Sequence, residues 1–453
     1  MNATLSVVPL ALLAAMLCAC MPQVRAIAMA ARLAWALFGA AVALTLAAAT
    51  GWTQADPLAL IAMLLTGFVG AIVLSFARRY LRADADPKRF AVAALLLVAA
   101  VMLFVVADAL WLIALGWIAS GWLMAALVGH VATWTEARAA RRRMIATFIV
   151  GDVALVGAFA ILAAETGSLS TSALGTITDT PATLAALLLV LAAAVRCALF
   201  PFHRWLARSM TAPTPASALM HAGFVNAGGL LLIRFAPVLE AAPAARALVI
   251  GMGIVAALIG SAMMLVRPDV KRALAGSTSA QMGFMLMTCG LGAYAAALWH
   301  IVAHGLFKAW LFLRSGSAIG ISEQAVPMRL APAAVAAIGA LAIAATSVLG
   351  QLAGAMPSAV PLILAAAMAL ATLIHLRRHA VLSLIAAVLA ATYAAGLQLF
   401  AQVLADPDGP ALGGPLLPVA IVAVFMTAWL VQTLILDRRM PIPAALYARL
   451  LNA

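Results

Sequence analysis

Uncharged apolar runs of roughly 20 residues recur along this chain, and each is long enough to cross the hydrocarbon core of a bilayer as a helix. The chain has 453 residues, of which 67% are hydrophobic and only 9% are charged, whereas a soluble domain carries about 25% charged residues. The runs lack the period-two alternation of barrel strands. The sequence therefore predicts an all-α polytopic membrane protein.

We predict about fifteen spans, each near the length that a bilayer requires. The first run, MNATLSVVPLALLAAMLCAC, resembles a signal sequence but lacks a basic n-region. Because hydrophobic spans continue beyond it, we assign it as the first span, with lipoprotein-type cleavage before Cys20 as the alternative. The predicted spans are 4–21, 30–50, 56–77, 90–107, 109–130, 144–165, 183–200, 213–235, 246–266, 273–291, 294–314, 330–350, 358–376, 380–403 and 415–436.

The net charge of +13 follows the predicted topology. Lys and Arg gather in the connections after odd-numbered spans, as in Arg78, Arg79 and Arg82 after the third span, and Arg246 is the main basic exception. Basic loops stay in the cytoplasm, so we expect the N-terminus outside, the C-terminus in the cytoplasm, and no nucleic-acid partner. The acidic residues of the even-numbered connections are Asp56, Asp179, Glu240, Asp406 and Asp408. Four histidines at cytoplasmic span ends are expected to be surface residues: His130, His203, His375 and His379.

Three ionisable residues share one face of the span 294–314. His300, His304 and Lys308 are spaced i, i+4 and i+8, so they align on a helix over roughly 12 Å. Each ionisable residue at membrane depth costs about 2.5–3.5 kcal/mol on insertion scales. Because imidazole and ammonium groups take and give protons, the pattern predicts a polar proton track. For His300 alone, a structural hydrogen bond is the alternative.

A second polar stretch surrounds a predicted helix break. Pro201, Pro213 and Pro215 cannot continue a helix, and broken helices at membrane depth mark ion sites in transporters. Arg196 precedes the break and His221 follows it. The alternatives are a snorkelling arginine for Arg196 and a structural hydrogen bond for His221.

Two carboxylates complete the candidate set. Asp152 lies inside the sixth predicted span and Asp108 near the start of the fifth. A carboxylate at membrane depth needs a cationic or hydrogen-bonding partner, which favours a functional role for Asp152. Asp108 is either functional or the N-cap of the following helix.

No sequence motif for a cofactor is present. The chain lacks a Gly-rich phosphate loop, a metal-ligand cluster and a nucleophile elbow, so we expect no cofactor in this chain and no enzymatic activity of its own. The energy source is then most simply an ion gradient. The four cysteines are interpreted as small apolar residues: Cys18, Cys20, Cys197 and Cys289.

Several segments between about 105 and 320 resemble one family. They are ADALWLIALGW, GDVALVGA, ALFPFHRWLARSMTAPTPASALMHA and PDVKRALAGSTSAQMGFMLMTCGLGAYAAALWHIVAHGLFKAWLFLRSGSAI. They resemble the proton-conducting, antiporter-like membrane subunits of respiratory complex I, Mrp antiporters and membrane hydrogenases. The resemblance implies two inverted five-helix repeats with discontinuous helices and a buried chain of lysines and histidines. With the candidates above, the predicted proton path comprises Lys308, His304, His300, Lys271, His221, Arg196, Asp152 and Asp108.

The resemblance also implies a division of the chain and a route. We expect N-terminal helices over 1–89, a first repeat over 90–235, a second repeat over 246–376, and C-terminal helices with a short tail over 380–453. Protons would enter from outside near Asp152, Arg196 and His221. They would then pass Lys308, His304 and His300 in that order and leave near Lys271.

The sequence departs from the family pattern at several positions. The family's glutamate after the Gly-Trp of the fifth span is Ile118 here, its lysine before the break is Arg196, and an arginine of the sixth span is Ile149. The later span AIAATSVLGQLAGAM lacks the family's further lysine, and the chain ends soon after Arg439 without a long lateral helix. Since arginine keeps its charge, Arg196 cannot exchange protons as a lysine does.

Within that superfamily, APTPASALMHAGFVNAGG, LLIRFAPVLE and STSAQMGFMLMTCGLGAYAAALWHIVAHGLFKA resemble the DabB subfamily, the membrane subunits of DabA–DabB inorganic-carbon systems of bacteria. That resemblance implies a location in the bacterial inner membrane and a DabA-like partner, a large cytoplasmic zinc protein similar to β-carbonic anhydrases. A proton gradient would then drive capture of CO2 as bicarbonate. The alternatives are a subunit of a quinone oxidoreductase, Mrp or hydrogenase complex, and a passive membrane anchor for a soluble enzyme. The C-terminal PIPAALYARLLNA forms either an amphipathic helix on the cytoplasmic face or a frayed tail.

Overall fold

The computed structural model describes residues 3–176, 179–318, 331–352, 357–376, 380–404, 409–414, 416–436 and 440–452. These residues form helices joined by turns, with one isolated β-bridge between Ala109 and Ser170. The predicted all-α polytopic fold is confirmed. The long helices are α1 (Val7–Cys20), α2 (Gln23–Ala49), α3 (Pro57–Tyr80), α4 (Pro87–Val106), α5 (Leu110–Val128), α6 (Thr135–Thr166), α7 (Asp179–Arg196), α8 (Thr214–Arg234), α9 (Pro243–Val266), α10 (Val270–Leu291), α11 (Tyr294–Arg314), α12 (Pro332–Leu352), α13 (Ala359–Leu376), α14 (Ala380–Val403) and α15 (Leu416–Leu436).

Ten of these helices are long and apolar enough to cross a membrane. Four others, α1, α7, α12 and α13, contain shorter apolar stretches. The remaining helix, α10, is more polar because its first half contains the run AGSTSAQ. The fifteen helices match the fifteen predicted spans in order, but a total of fifteen membrane crossings stays a prediction.

The connections between helices meet at two opposite faces of the bundle. Connections after α2, α4, α6, α8, α10 and α14 contribute Asp56, Asp108, Ser170, Glu240, Tyr294 and Pro410 to one shared cavity. We call this the even face. At the other, odd face, Gln23 donates to Asp86 at 3.0 Å and His130 bonds Asp84 at 3.0 Å. These contacts join the connections after α1, α3 and α5.

Arg246, the basic exception in the charge pattern, has a structural role at the even face. Its guanidinium donates to the carbonyls of Gly290 and Leu291, both at 2.9 Å, and to that of Pro410. Gly290 and Leu291 lie in the last turn of α10, where backbone carbonyls have no partner inside the helix. The side chain is buried, so Arg246 satisfies a helix end and does not mark a cytoplasmic loop. Asp406 and Asp408, two of the predicted even-face acids, lie outside the described residues.

α8 is the discontinuous helix and lies at the centre of the bundle. Among the ten apolar helices it has the largest buried share, 94%. α7 ends at Arg196, and α8 begins after Pro213 and is interrupted by a 3-10 turn at Phe224–Asn226. The predicted break is therefore present, and α8 has a second interruption beyond His221.

α9 and α10 pack at backbone contact distance. A Cβ atom built on Gly260 would lie 2.5 Å from the Ala280 nitrogen, and one on Gly283 would lie 2.7 Å from the Ala257 nitrogen. Small residues permit such close approach between membrane helices. This packing fixes α10, which carries the polar partners of the candidate track.

Two hydrophobic cores form behind this centre. The larger core extends from α1 to α11 and includes Leu397 and Phe400 of α14. A smaller core joins α12, α13 and α15 to α9 and α10 through Ile250 and Met287. The division into inverted repeats stays a prediction. Of the two alternatives for the tail, the structure has the helix, Ala444–Asn452, which contacts α9.

Candidate proton-transfer site

Lys308 is the buried cation of α11. Its side chain is 1% exposed, and its Nζ donates to the Ser277 hydroxyl at 3.0 Å and to the Leu274 carbonyl at 3.4 Å. Both acceptors belong to α10. Since a buried ammonium group is costly without partners, the polar first half of α10 explains how this lysine is accommodated.

His221 joins the same network from α8. Its Nδ1 lies 3.0 Å from the Thr278 hydroxyl, and that hydroxyl donates to the Leu274 carbonyl at 2.9 Å. A hydroxyl has one hydrogen, so the arrangement that satisfies both contacts has Thr278 donating to Leu274 and accepting from Nδ1 of His221, which assigns the proton to Nδ1. The Leu274 carbonyl thus receives both Thr278 and Lys308, and it links the imidazole to the ammonium group.

His304 and His300 extend the network along α11. Their rings lie 5.7 Å apart at an interplanar angle of 21°. His304 faces the backbone of His221, where α11 packs on α8 at Gly305, whose Cβ would lie 2.7 Å from the Ala222 carbonyl. Among the described residues, no hydrogen-bond partner reaches the Nε2 atoms of His221, His300 and His304.

The structure reverses the predicted order of these residues. α11 begins at the even face with Tyr294 and ends at the odd face with Arg314, so His300 precedes His304 and Lys308 along the axis. Lys271, at the odd-face start of α10, lies with its Nζ 3.5 Å from the Ala212 carbonyl. The expected order, with Lys308 first and His300 next to Lys271, is wrong because α10 and α11 are antiparallel neighbours.

Arg196 and Asp152 form a separate buried pair. Their side chains approach to 3.5 Å, and the guanidinium donates to the Ser120 hydroxyl at 3.1 Å and to the Trp117 carbonyl at 3.0 Å. The guanidinium carbon also lies 4.0 Å from the centre of the Trp117 ring. Because Arg196 is 1% exposed, the snorkelling alternative is wrong.

Arg196 and Lys308 have no hydrogen-bond partner in common among the described residues. Arg196 contacts α5 and α6, whereas Lys308 contacts α10. Each group also contacts an aromatic ring of its own: the guanidinium carbon of Arg196 lies 4.6 Å from the centre of the Phe224 ring, and Phe312 stacks on His221 at 4.1 Å. Of the eight predicted residues, four thus lie around Lys308 (His221, His300, His304 and Lys308 itself) and two, Arg196 and Asp152, form a separate ion pair, whereas Lys271 and Asp108 belong to neither group.

Asp108 belongs to the even-face cavity. It pairs with Arg234 at 3.4 Å, and Arg234 also donates to the Val105 carbonyl at 3.0 Å. The N-cap of α5 is Ala109, one residue beyond Asp108, so both alternatives for Asp108, a functional role and a cap, stay predictions. The cavity has a volume of about 840 Å³ and is also lined by Asp56, Glu240 and Tyr294.

Two of the histidines expected at the surface are buried. His130 is 7% exposed and bonds Asp84, and His203 is 5% exposed. For His203, burial is the largest cause of a lowered pKa, and the positive charge of Arg204 adds to it. The prediction of surface positions is wrong for both because the odd-face connections fold over the helix ends. The side chain of His375 and the whole of His379 lie outside the described residues.

Sequence reasoning missed the residues that hold the site together. Ser277 and Thr278 received no role, although two adjacent hydroxyls in a membrane helix are a signal that polar partners lie opposite. Arg234 was missed as well, and it is the cation that meets Asp108. In the part of the chain that the structure describes, no group of three or more His, Cys, Asp or Glu side chains is placed to hold a metal ion.

A family model and a solved structure both match antiporter-like membrane proteins. Residues 107–331, just under half of the chain, match the family described as NADH:quinone oxidoreductase/Mrp antiporter, TM. The solved Mrp complex from Dietzia sp. DQ12-45-1b superposes with a TM-score of 0.67 over 98% of this chain and 58% of that chain, at 24% identity. That similarity shows the fold. The segment 107–331, which contains every candidate site residue, is similar to this antiporter-like family, and the chain is a multi-pass membrane protein.

The curated relatives are more specific. Over 280 residues the chain is 38% identical to a probable inorganic carbon transporter subunit DabB1 of Halothiobacillus neapolitanus, covering 59% of this chain and 50% of the relative. It is also 35% identical over 285 residues to an NADH-quinone oxidoreductase subunit L of Mycobacterium tuberculosis, covering 61% of this chain and 45% of the relative. The predicted resemblance to DabB subunits within the antiporter-like superfamily is confirmed. The chain spans about half the length of the curated relatives it matches.

Proposed function

We propose that this chain is the membrane subunit of a complex that accumulates inorganic carbon, and that it conducts protons down their gradient to drive a cytoplasmic partner. The observation that carries the proposal is the line of His300, His304 and Lys308 on α11, of which His304 and Lys308 are buried. Lys308 is in turn linked to His221 through the Leu274 carbonyl and Thr278. An anchor has no need for such a network, because each buried ionisable group adds insertion cost. The name of the 38% identical relative supports inorganic carbon as the substrate class.

The proposed route crosses from the even face to the odd face. Protons enter from outside at the cavity around Asp108 and Glu240, where carboxylates concentrate cations. They pass His300, His304 and Lys308 and leave near Lys271 on the cytoplasmic side. The His221 imidazole exchanges protons with this line, and the pair of Arg196 and Asp152 supplies fixed charges beside it. In this proposal the chain lies in the bacterial inner membrane with its N-terminus outside and its C-terminus in the cytoplasm.

The proposed partner is a DabA-like zinc protein that carries the carbonic-anhydrase-like chemistry. In this scheme the present chain holds no cofactor and is not an enzyme. The basic odd face would receive an acidic surface of that partner, because complementary charge guides association. Arginines at positions 138, 141, 142 and 143 are the densest such group.

Replacement of Lys308 tests the proton path. We expect Lys308→Ala to lower proton flux in proteoliposomes, and inorganic-carbon uptake in cells, by about a hundredfold or more, since a positioned acid–base group contributes roughly that factor. Lys88→Ala removes a lysine from the odd face and should leave both rates unchanged. Normal flux in Lys308→Ala, with normal expression, would exclude the proposed relay.

The similarity to quinone-oxidoreductase subunits favours a second candidate, a proton-translocating subunit of a respiratory, Mrp or hydrogenase complex. Purification from native membranes in mild detergent distinguishes the two. One large zinc protein in roughly equal amount supports the carbon system. A set of quinone-reductase or hydrogenase subunits supports the second candidate. Co-purification of a partner without any measurable proton flux would identify a passive anchor.

A further inference from the structure

An apolar groove runs along the membrane-facing surface between α3 and α11. Its volume is about 440 Å³. Two of its lining residues, Leu306 and Trp310, are 43% and 51% exposed, so the groove opens at the bundle surface. On each helix the lining residues recur at helical spacing over roughly 12 Å. They include Phe68, Ile72, Phe76, Leu306, Trp310 and Leu313.

A basic cleft adjoins the groove at Phe76, at the odd face. This second cavity, about 670 Å³, is lined by Arg78, Arg79 and Arg82 and shares Phe76 with the groove. Arg314 lies at the same end of the groove, with its guanidinium carbon 5.0 Å from the centre of the Trp310 ring. No carboxylate is present among the described residues that line either cavity. The site is therefore amphipathic, apolar along the membrane and positive at the interface.

We propose that this site binds an anionic phospholipid of the same leaflet, with an acyl chain in the groove and its phosphate headgroup on the arginines. Arginine binds phosphate oxygens in pairs of hydrogen bonds. Tryptophan prefers the membrane interface, where Trp310 would lie beside the headgroup. Basic residues at the cytoplasmic end of a helix are common on topological grounds alone. Here the apolar groove beside the arginines adds a place for the lipid tail.

The groove lies against α11, the helix that carries Lys308 of the candidate path. Leu306 and Ala309 line the groove, and Lys308 lies between them in the sequence of α11. Lys308 points the other way, into α10. A bound lipid would thus support α11 from the side opposite its buried network. The proposal concerns lipid binding and does not depend on the proposed transport function.

Native mass spectrometry of the full chain, with added lipids, tests the site. We expect phosphatidylglycerol to be retained at higher collision energy than phosphatidylcholine and to raise the melting temperature more. Arg78→Gln/Arg79→Gln/Arg82→Gln should weaken phosphatidylglycerol binding on the order of a hundredfold, because each basic residue near an anionic headgroup contributes about fivefold. The matched control is Arg141→Gln/Arg142→Gln/Arg143→Gln, which removes three arginines from another part of the odd face.

A second variant avoids any change of charge. Leu306→Trp fills the groove and should abolish the preference for phosphatidylglycerol even though all four arginines remain. Equal retention of both lipids by the unmodified chain, or equal losses in the two triple variants, would overturn the proposal. So would a photo-crosslinker at position 310 that labels a polypeptide instead of lipid in native membranes, because the groove would then be a protein interface.

Discussion

At the scale of single residues, the Thr278 hydroxyl is the smallest group on which the network depends. It accepts from His221 and donates to the Leu274 carbonyl. Thr278→Val removes this link but keeps every titratable group. We expect proton flux to fall by roughly tenfold to a hundredfold, since an unsatisfied buried polar group costs about 1–3 kcal/mol.

Thr288→Val is the matched control for that prediction. Thr288 is also buried on α10 and makes the same type of bond, to the Phe284 carbonyl at 2.8 Å, with no histidine attached. Proton flux through Thr288→Val should stay within about twofold of the flux through the unmodified chain. Equal losses in both variants would mean that the hydroxyls act on helix stability and not on proton transfer.

Asp86, at the start of α4, makes stability depend on pH. The Gln23 amide donates to it at 3.0 Å, and this bond, followed by the backbone N–H of Arg89, holds the pKa of Asp86 below its usual value although burial opposes the shift. Because the folded state favours the charged form, the contribution is present above the unfolded pKa and is lost as pH falls through the folded pKa.

Asp86→Asn should therefore lower the melting temperature at pH 7 by the equivalent of only about 0.3–0.5 kcal/mol, because asparagine caps a helix about as well as aspartate and only the charge-dependent part is lost. The difference from the unmodified chain should narrow as pH falls below about 4. Melting curves in detergent across this range provide the measurement. Gln23→Leu keeps the carboxylate and should reproduce part of the loss. A difference that is constant with pH would show that charge is not the cause.

Residue types and spacing predicted much of the site, but not the partners. The i, i+4, i+8 spacing correctly placed His300, His304 and Lys308 on one face, because helix geometry alone determines that alignment. Arg196 and Asp152 were both singled out, yet their pairing joins α7 to α6 across the bundle. Position 118, where the resemblance led us to look for a carboxylate, is an isoleucine, and Arg196 pairs with Asp152. Contacts between residues far apart in sequence depend on packing, which periodicity does not encode.

At the scale of helices, the seam between α9 and α10 controls where the lysine's partners lie. Gly260→Ala would place a Cβ 2.5 Å from the Ala280 nitrogen and 2.7 Å from the Gly276 carbonyl oxygen. Backbone atoms cannot move aside cheaply, so we expect the melting temperature to fall, by the equivalent of about 1–3 kcal/mol.

The control substitution for this seam, Gly251→Ala, is expected to change stability in the opposite direction. Gly251 lies on the same helix, and a Cβ there would meet no atom within 4 Å. Gly251→Ala should stabilise the chain by about 0.5–1 kcal/mol, because alanine is the better helix former. Stabilisation by both substitutions would show that the two helices are not in backbone contact.

Helix existence followed directly from the apolar runs, whereas the details of helix ends did not. The prolines correctly indicated the interruption before α8, since proline cannot continue a helix. The additional 3-10 turn at Phe224–Asn226 has no proline and was not predicted. His130 and His203 were misplaced for a related reason: a polar residue at a span end is assigned to the surface unless the fold of the connection is known.

At the scale of the whole molecule, the structure divides the chain into two chemically different faces. The even face holds the cavity with Asp56, Asp108 and Glu240, and the odd face holds the arginine-lined cleft. The network along α11 runs between them. Direction of transport in the proposed function therefore depends on which face is outside.

Cysteine labelling in spheroplasts decides that orientation. Trp52, 86% exposed in the connection after α2, and Trp134, 54% exposed in the connection after α5, mark the even and odd faces. In a Cys20→Ser background, which removes the exposed native thiol, we expect a membrane-impermeant maleimide to label Trp52→Cys in intact spheroplasts. Trp134→Cys should react only after permeabilisation.

The reverse pattern would place the carboxylate-lined cavity in the cytoplasm. Protons moving down an inward gradient would then meet the basic odd face first, where positive charge repels cations, and the proposed route would fail even if Lys308 were essential. Labelling of both variants in intact spheroplasts would contradict the two-face arrangement itself. The expected pattern leaves the acidic cavity facing the proton source and the arginine groups facing the proposed partner, which is the only orientation in which the network, the charges and the partner agree.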